Sequence, residues 1–470
     1  MGTQQGKKNI KYWDIIHWDI ASFTSRQGGY GSCIYNNVIQ PSIVRDLLML
    51  IRGIIGGIIR FLQEIIQSFK KGIQEDIYHK ELYLMLITLG SEKYASEESE
   101  IIAACQKKGI DILIIYNDNF CRVSTTGKSV VLPLLSVCRK RDIAVALVRW
   151  FVIVIHESYN FSSNDRKKRS LFVASIPFIR QYIIYTVIAR QIVSIFGNPF
   201  IALNLCTFAG WSSAIISYLK ERQVLSAGIR TQATTWDIEN LATNTDILFC
   251  KSLHERIIYE KQFAGEGPFI ENACLMQLPV KYYGKPLSLP EKYVLVLGTT
   301  PHIDQKFNDY KHINNRLFTV AKSSHLPIVF KGHNLSENLD DKWFAEQGIY
   351  RSEILRFKDI HHNRELIDRA TFIVSPYTAM LYYALLCNKP IVIVSKENNH
   401  DIVDEFHLSP ITRIAFDQPI ENLKVNWANL QASCDIIKSW FESNYYIEKG
   451  SDYIVEYLIE LAKKQKQTPI

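Results

Sequence analysis

Between Tyr293 and Ser395 the chain alternates short β-rich apolar runs with stretches of helical periodicity, a pattern that few folds accept. Tyr293-Val294-Leu295-Val296-Leu297 ends in Gly298-Thr299-Thr300-Pro301, as a buried parallel strand followed by a loop does. A helical pattern over 313–321 leads to an apolar run at 326–330 and the turn Lys331-Gly332-His333-Asn334. Next come a helix over 363–369, a strand over 371–374, the turn Ser375-Pro376-Tyr377-Thr378 and a helix over 379–387. Lys389-Pro390 opens a further strand over 391–394. Such alternation implies right-handed crossovers and a parallel sheet. Ligands of these sheets bind beyond the carboxyl ends of the strands, where His333 and the Ser375–Thr378 turn both fall.

A similar region precedes it. Strands are predicted over 82–89, 110–115, 200–205 and 246–250, and helices over 97–107 and from Trp211 onward. Ser96 is the expected N-cap of the first helix, with Glu97, Glu98 and Glu100 at the positive end of its dipole. The stretch 265–284 is read as the passage into the second domain. The fold class is therefore α/β with two Rossmann-like domains. Its parts are an N-terminal extension over 1–80, a first domain over 81–284, a second over 285–430 and terminal helices over 431–470.

Charged residues make up 21% of the chain and apolar ones 47%, the balance of a folded globular protein. The net charge of +7 is mild for 470 residues, and without a basic cluster bearing a nucleic-acid signature a nucleic-acid partner is not expected. Nine scattered cysteines, an odd number with no Cys-x-x-Cys pair, argue for reduced thiols in a cytoplasmic setting and against a zinc site. No apolar core follows Lys7, Lys8 and Lys11, so no signal peptide is expected. The Gly-rich Gln27–Ser32 stretch lacks the spacing of a phosphate-binding loop and reads as a plain loop.

Two stretches bear on membranes. Residues 42–72 read as an amphipathic helix with Arg45, Arg52, Arg60, Lys70 and Lys71 at its margins, too interrupted by charge to span a bilayer. It is either an interfacial helix making peripheral contact with an anionic membrane at its cytoplasmic face, or a helix packed within the protein or against a partner subunit. Gly53, Gly56 and Gly57 would weaken it alone, so tertiary support is needed. Residues 171–219 are long and apolar, but Asn198-Pro199, Asn204 and several Ser favour a protein core over a span. The basic run 164–169 reads as a solvated loop.

The order of strand, Lys-x-His turn, strand, Ser-containing turn, helix, Lys-Pro and strand resembles the C-terminal half of GT-B-fold glycosyltransferases of bacterial surface polysaccharides. The resemblance is to the CDP-glycerol glycerophosphotransferase-like, capsule and sialyltransferase-like groups. In that family a Lys-Pro-His-Pro turn and a Ser/Thr-rich turn hold the donor's phosphates. Here the first turn reads Lys331-Gly332-His333-Asn334, without either proline, and the second has one Ser and one Thr. Of the family's Gln-His-Gly turn only the Gln is matched, by Gln232, with Ala233 and Thr234 in place of His and Gly.

The resemblance implies a nucleotide-sugar donor bound by Gly298, Thr299, Lys331, His333, Ser375 and Thr378, with His333 and Asp118 in catalytic roles, and terminal helices over 431–470 that pack back on the first domain. Cations and hydroxyls at strand ends suit a departing nucleotide phosphate. Asp118 in Tyr116-Asn117-Asp118-Asn119 is the one candidate base, and an Asx turn is its other reading. For Ser375 the other reading is a plain helix N-cap. The donor is CMP-, CDP- or UDP-linked, the acceptor a surface-polysaccharide or lipid-linked glycan, and no metal or cofactor is implied. A CDP-polyol phosphotransferase and a catalytically silent glycan- or partner-binding protein on the same fold are the alternatives.

Overall fold

A computed structural model describes residues 43–68, 83–88, 95–116, 130–133, 140–160, 166–207, 210–229, 244–263, 267–275, 286–298, 310–332, 344–345, 350, 353–357, 362–376, 378, 380–395, 409–415 and 425–467. The first sheet holds β1 (Tyr83–Thr88), β2 (Asp111–Tyr116), β3 (Val130–Pro133), β4 (Ile201–Asn204), β5 (Leu225–Ile229), β6 (Ile247–Cys250) and β7 (Phe269–Asn272). Its order is β3-β2-β1-β4-β5-β6-β7. The second holds β8 (Val294–Leu297), β9 (Ile328–Lys331), β10 (Ile354–Phe357), β11 (Phe372–Ser375), β12 (Ile391–Ser395) and β13 (Thr412–Ala415), in the order β10-β9-β8-β11-β12-β13. All strand pairs in both sheets are parallel. Each order reverses once, between β1 and β4 and between β8 and β11, which is the doubly wound Rossmann pattern. Two Rossmann-like domains in one chain are the GT-B architecture expected from the sequence.

Both faces of each sheet are covered, which explains why the strands read as continuous apolar runs. In β1 the alternation of Cβ directions sends Tyr83, Met85 and Ile87 into one core and Leu84 and Leu86 into the other. The first core is built by α1 (Ile43–Ser68), α3 (Lys140–Asn160), α4 (Arg166–Phe196) and α5 (Gly210–Lys220). The second takes α2 (Ala95–Lys107) and the final helix. In the second sheet Leu295 and Leu297 face one core, and Val294 and Val296 the other, with α7 (Tyr310–Lys322).

The tertiary support that α1 needs comes from α3 and α4. Gly53 lies on Ile176, and a Cβ at Gly57 would stand 2.4 Å from the Trp150 indole. Phe61 completes the contact, with its ring 5.7 Å from Trp150 and the Arg180 guanidinium 5.6 Å over it. The apolar stretch 171–219 divides into most of α4, all of β4 and most of α5. Among the described residues no helix is long and apolar enough to cross a membrane.

Several expectations need correction. Helix α2 starts at Ala95, so Ser96 lies inside its first turn and is not its N-cap. The passage expected over 265–284 contains β7, an edge strand whose exposed Phe269 and polar Glu271 and Asn272 hid it from an apolar-run reading. The terminal helices do not act as one unit. Helix α11 (Cys434–Asn444), after the short α10 (Trp427–Ala432), puts Ile437 and Phe441 into the second sheet's core. Only α12 (Ser451–Gln467) crosses back, adding Ile454, Val455 and Leu458 to the core beneath β1. Its polar edge meets α2 through Lys107–Asp452 at 2.7 Å and Lys108–Glu456.

Candidate functional site

The second sheet's reversal point lies between β8 and β11, with β9 on the other side of β8. Register places Lys331 of β9 opposite Leu297 of β8. Val374 of β11 pairs with Val296, so Ser375 ends its strand level with Leu297. Gly298 follows directly, and its N–H donates to the Lys331 carbonyl at 2.9 Å. Three of the residues singled out from sequence thus converge on three neighbouring strand ends. The next residue, Gly332, is tied outward by its N–H to the Phe357 carbonyl at 2.9 Å. Asp118, Thr299 and His333 lie outside the described residues.

The side chains are less open than the sequence suggests. Lys331 is 6% exposed and its ammonium donates to the Gly332 carbonyl at 2.7 Å. Ser375 is fully buried, and its hydroxyl donates to the Pro376 carbonyl at 2.7 Å. Ser375 is therefore not an N-cap. After α8 (Asn363–Arg369), the helix expected over 379–387 is α9 (Met380–Leu386), only two turns long, and Thr378 is the residue that meets it. Thr378 accepts from the Leu381 N–H through its carbonyl at 3.0 Å and from the Met380 N–H through Oγ1 at 3.5 Å. The second contact is long enough to be weak.

The carboxyl end of β6 meets the same region. Lys251 follows β6, and its ammonium stands 4.7 Å over the ring of Tyr382, in the first turn of α9. Tyr446 donates its N–H to the Lys251 carbonyl at 3.0 Å, and Ser252 bridges to Tyr445. Carboxyl-end elements of both sheets therefore touch.

Glu255, at the start of α6 (Leu253–Phe263), organises this junction. It is 1% exposed and accepts from the Lys251 N–H at 2.7 Å and the Tyr259 hydroxyl at 2.8 Å. The Lys251 ammonium lies 3.8 Å from it. Ser252 in turn accepts from the Glu255 N–H at 3.1 Å. A buried carboxylate persists only with such partners. Sequence reading passed over this cluster, yet Ser252-Leu253-His254-Glu255 has the spacing of a capping box and could have marked it. Beside it, burial pushes the Cys250 thiol well above its usual range, with Glu255's charge adding to the effect, so Cys250 is no thiolate nucleophile at neutral pH.

At the first sheet's reversal point the polar groups are also internal. Thr88, the last residue of β1, donates its hydroxyl to the buried Glu98 carboxylate. Asn204 of β4 accepts from the Cys206 N–H at 2.8 Å and donates to the Ser212 hydroxyl at 3.2 Å. Glu98 sits in the first turn of α2, as the dipole argument expects, and its side chain is fully buried there. Among the described residues no group of three or more His, Cys, Asp or Glu could hold a metal ion.

No protein-family model matches the chain, and no curated protein matches it. Solved structures do. The chain is similar to UDP-GlcNAc 2-epimerase from Methanocaldococcus jannaschii, in complex with UDP-GlcNAc and UDP, at 12% identity over 81% of this chain and 99% of that one, with a TM-score of 0.46. It is similar to an alpha,alpha-trehalose-phosphate synthase (UDP-forming) from Burkholderia vietnamiensis at 10% identity, 83% and 100% coverage and a TM-score of 0.49. The glycosyltransferase SnogD from Streptomyces nogalater matches at 10% identity, 82% and 100% coverage and a TM-score of 0.45. Likeness this distant assigns neither substrate nor reaction, and the two-domain architecture stands on the strand orders themselves.

Proposed function

We propose that this protein is a metal-independent glycosyltransferase that moves a sugar from a nucleotide-activated donor to a surface-polysaccharide or lipid-linked glycan. The observation that carries the reading is the convergence of Gly298, Lys331 and Ser375 at the reversal point of the second sheet. Donor nucleotides of doubly wound sheets bind at that place for a physical reason: adjacent loops part there and leave a crevice. In this reading Lys331 and His333 neutralise the phosphate that leaves with the nucleotide, and Thr299 and Thr378 add hydroxyl donors. Ser375 joins them once its hydroxyl turns from the Pro376 carbonyl. Asp118 takes the proton from the acceptor hydroxyl, whose oxygen bonds to the anomeric carbon as the bond to the nucleotide's phosphate oxygen breaks.

One observation favours a catalytically silent nucleotide- or glycan-binding protein instead. The Lys331 ammonium and the Ser375 hydroxyl both already donate to carbonyls of their own turns. Nucleotide binding tests the site, and turnover separates the two readings. The assay is a melting-temperature panel with CMP, CDP, UDP, GDP and their sugar conjugates on wild type, Lys331→Met and Ser375→Ala. A nucleotide at 100 times its Kd stabilises the fold by about 2.7 kcal/mol. The proposal expects one nucleotide to raise the wild-type melting temperature and to lose most of that effect in Lys331→Met. No shift with any nucleotide refutes the site. A shift without hydrolysis or transfer from the matching nucleotide-sugar refutes the enzyme.

A further inference from the structure

Helices α1 and α3 pack side by side on α4, and each keeps an apolar stripe turned away from the core. On α1 the stripe is Ile51, Ile55 and Ile59, and on α3 it is Val145, Val148 and Val152, all between 48 and 63% exposed. The spacing is helical, so each set lies along one line of its helix. The opposite lines, Gly53 and Gly57 on α1 and Ala146 and Trp150 on α3, are the ones that dock inward. The Gly57–Trp150 contact holds α1 and α3 side by side. Apolar surface of this extent is costly in water and marks a contact site.

Its charges name the contact. Among the described side chains of α1 and α3, the exposed formal charges are Arg52, Arg141 and Arg149, with no exposed carboxylate. The half-buried Asp142 turns inward and accepts from Gln191 at 2.9 Å. Helix α4 begins at Arg166, so most of the basic run 164–169, expected as a loop, is helical instead. A second copy of the chain, docked by a two-fold axis, would set this cationic face against itself. An anionic lipid surface satisfies both features at once: acyl chains take the isoleucines and valines, and acidic headgroups take the arginines. We infer that the α1–α3 face is a peripheral docking surface for anionic bilayers, lying in the headgroup plane.

The test is co-sedimentation of the full chain with vesicles of phosphatidylcholine alone, or of phosphatidylcholine and phosphatidylglycerol in equal parts. Binding is expected to the anionic vesicles and to weaken as salt is added. Arg141→Ala and Arg149→Ala should each lower the partition coefficient about fivefold. Ile55→Ser with Val148→Ser should lower it more than tenfold, since both side chains lose their apolar burial. These positions are exposed, so an unchanged melting temperature verifies that the variants fold. Absence of binding to either vesicle overturns the inference. So does a concentration-dependent dimer that the Ile55→Ser, Val148→Ser variant disperses, because a second copy would then be the occupant. Vesicle binding requires no turnover, so a negative nucleotide panel leaves it standing.

Discussion

Adjacent glycines on α1 should respond to alanine with opposite signs. Nothing lies within 4 Å of a Cβ built at Gly56, so Gly56→Ala gains the helix propensity of alanine, about 0.8–1.0 kcal/mol. At Gly57 the same methyl would stand 2.4, 2.6 and 3.3 Å from three atoms of Trp150. Ordinary contact begins at 3.4 Å, so the indole would have to retreat by about 1 Å. It has little room, being fully buried, with its N–H donating to the Ile176 carbonyl at 3.2 Å and its ring against Phe61. Overpacking of that kind costs about 1–3 kcal/mol, which cancels or exceeds the propensity gain. The two variants should therefore differ by about 2 kcal/mol, or roughly 4–8 °C in the melting temperature of a domain this size. Differential scanning fluorimetry with urea titration would measure it. If Gly57→Ala raised the melting temperature as much as Gly56→Ala, Trp150 would not lie under α1, and the outward-facing stripes would lose their geometry.

At the junction of the two sheets, Glu255→Gln removes the charge facing the buried Lys251 ammonium and should destabilise the protein by about 3 kcal/mol in urea titration. The double variant with Lys251→Met should recover part of that loss, and additive losses would show that the two groups are not coupled. In alkali, burial raises the Cys105 thiol from 9.0 to about 12. Cys387 rises to about 12 through burial and its hydrogen bond with Asp368. The folded state then holds protons that the unfolded state releases, so this stability is fully present below pH 9.0 and is lost as pH rises toward 12. The urea midpoint should fall across that window and fall less in Cys105→Ala, and a flat midpoint would refute the assignment.

The sequence by itself determined the alternation of strands and helices, because a strand buried on both faces must be an unbroken apolar run and a turn must interrupt it. It also named Gly298, Lys331 and Ser375, since turn residues after apolar runs mark strand ends. Only the tertiary structure decided that these ends are neighbours. That follows from β8 lying between β9 and β11, a pairing of segments far apart in the chain to which local periodicity is blind. The same limit hid β7, whose edge position needs few apolar residues, and the Lys251–Tyr382 contact, which joins residues from different domains. It also hid the division of labour between α11 and α12. Helix α3 is the clearest case. Its sequence is apolar on nearly every side, as a buried helix is, yet α1 and α4 cover only part of it and leave Val145, Val148 and Val152 facing outward. Periodicity tells which side chains avoid water, but only the packing of whole elements tells how many of them succeed.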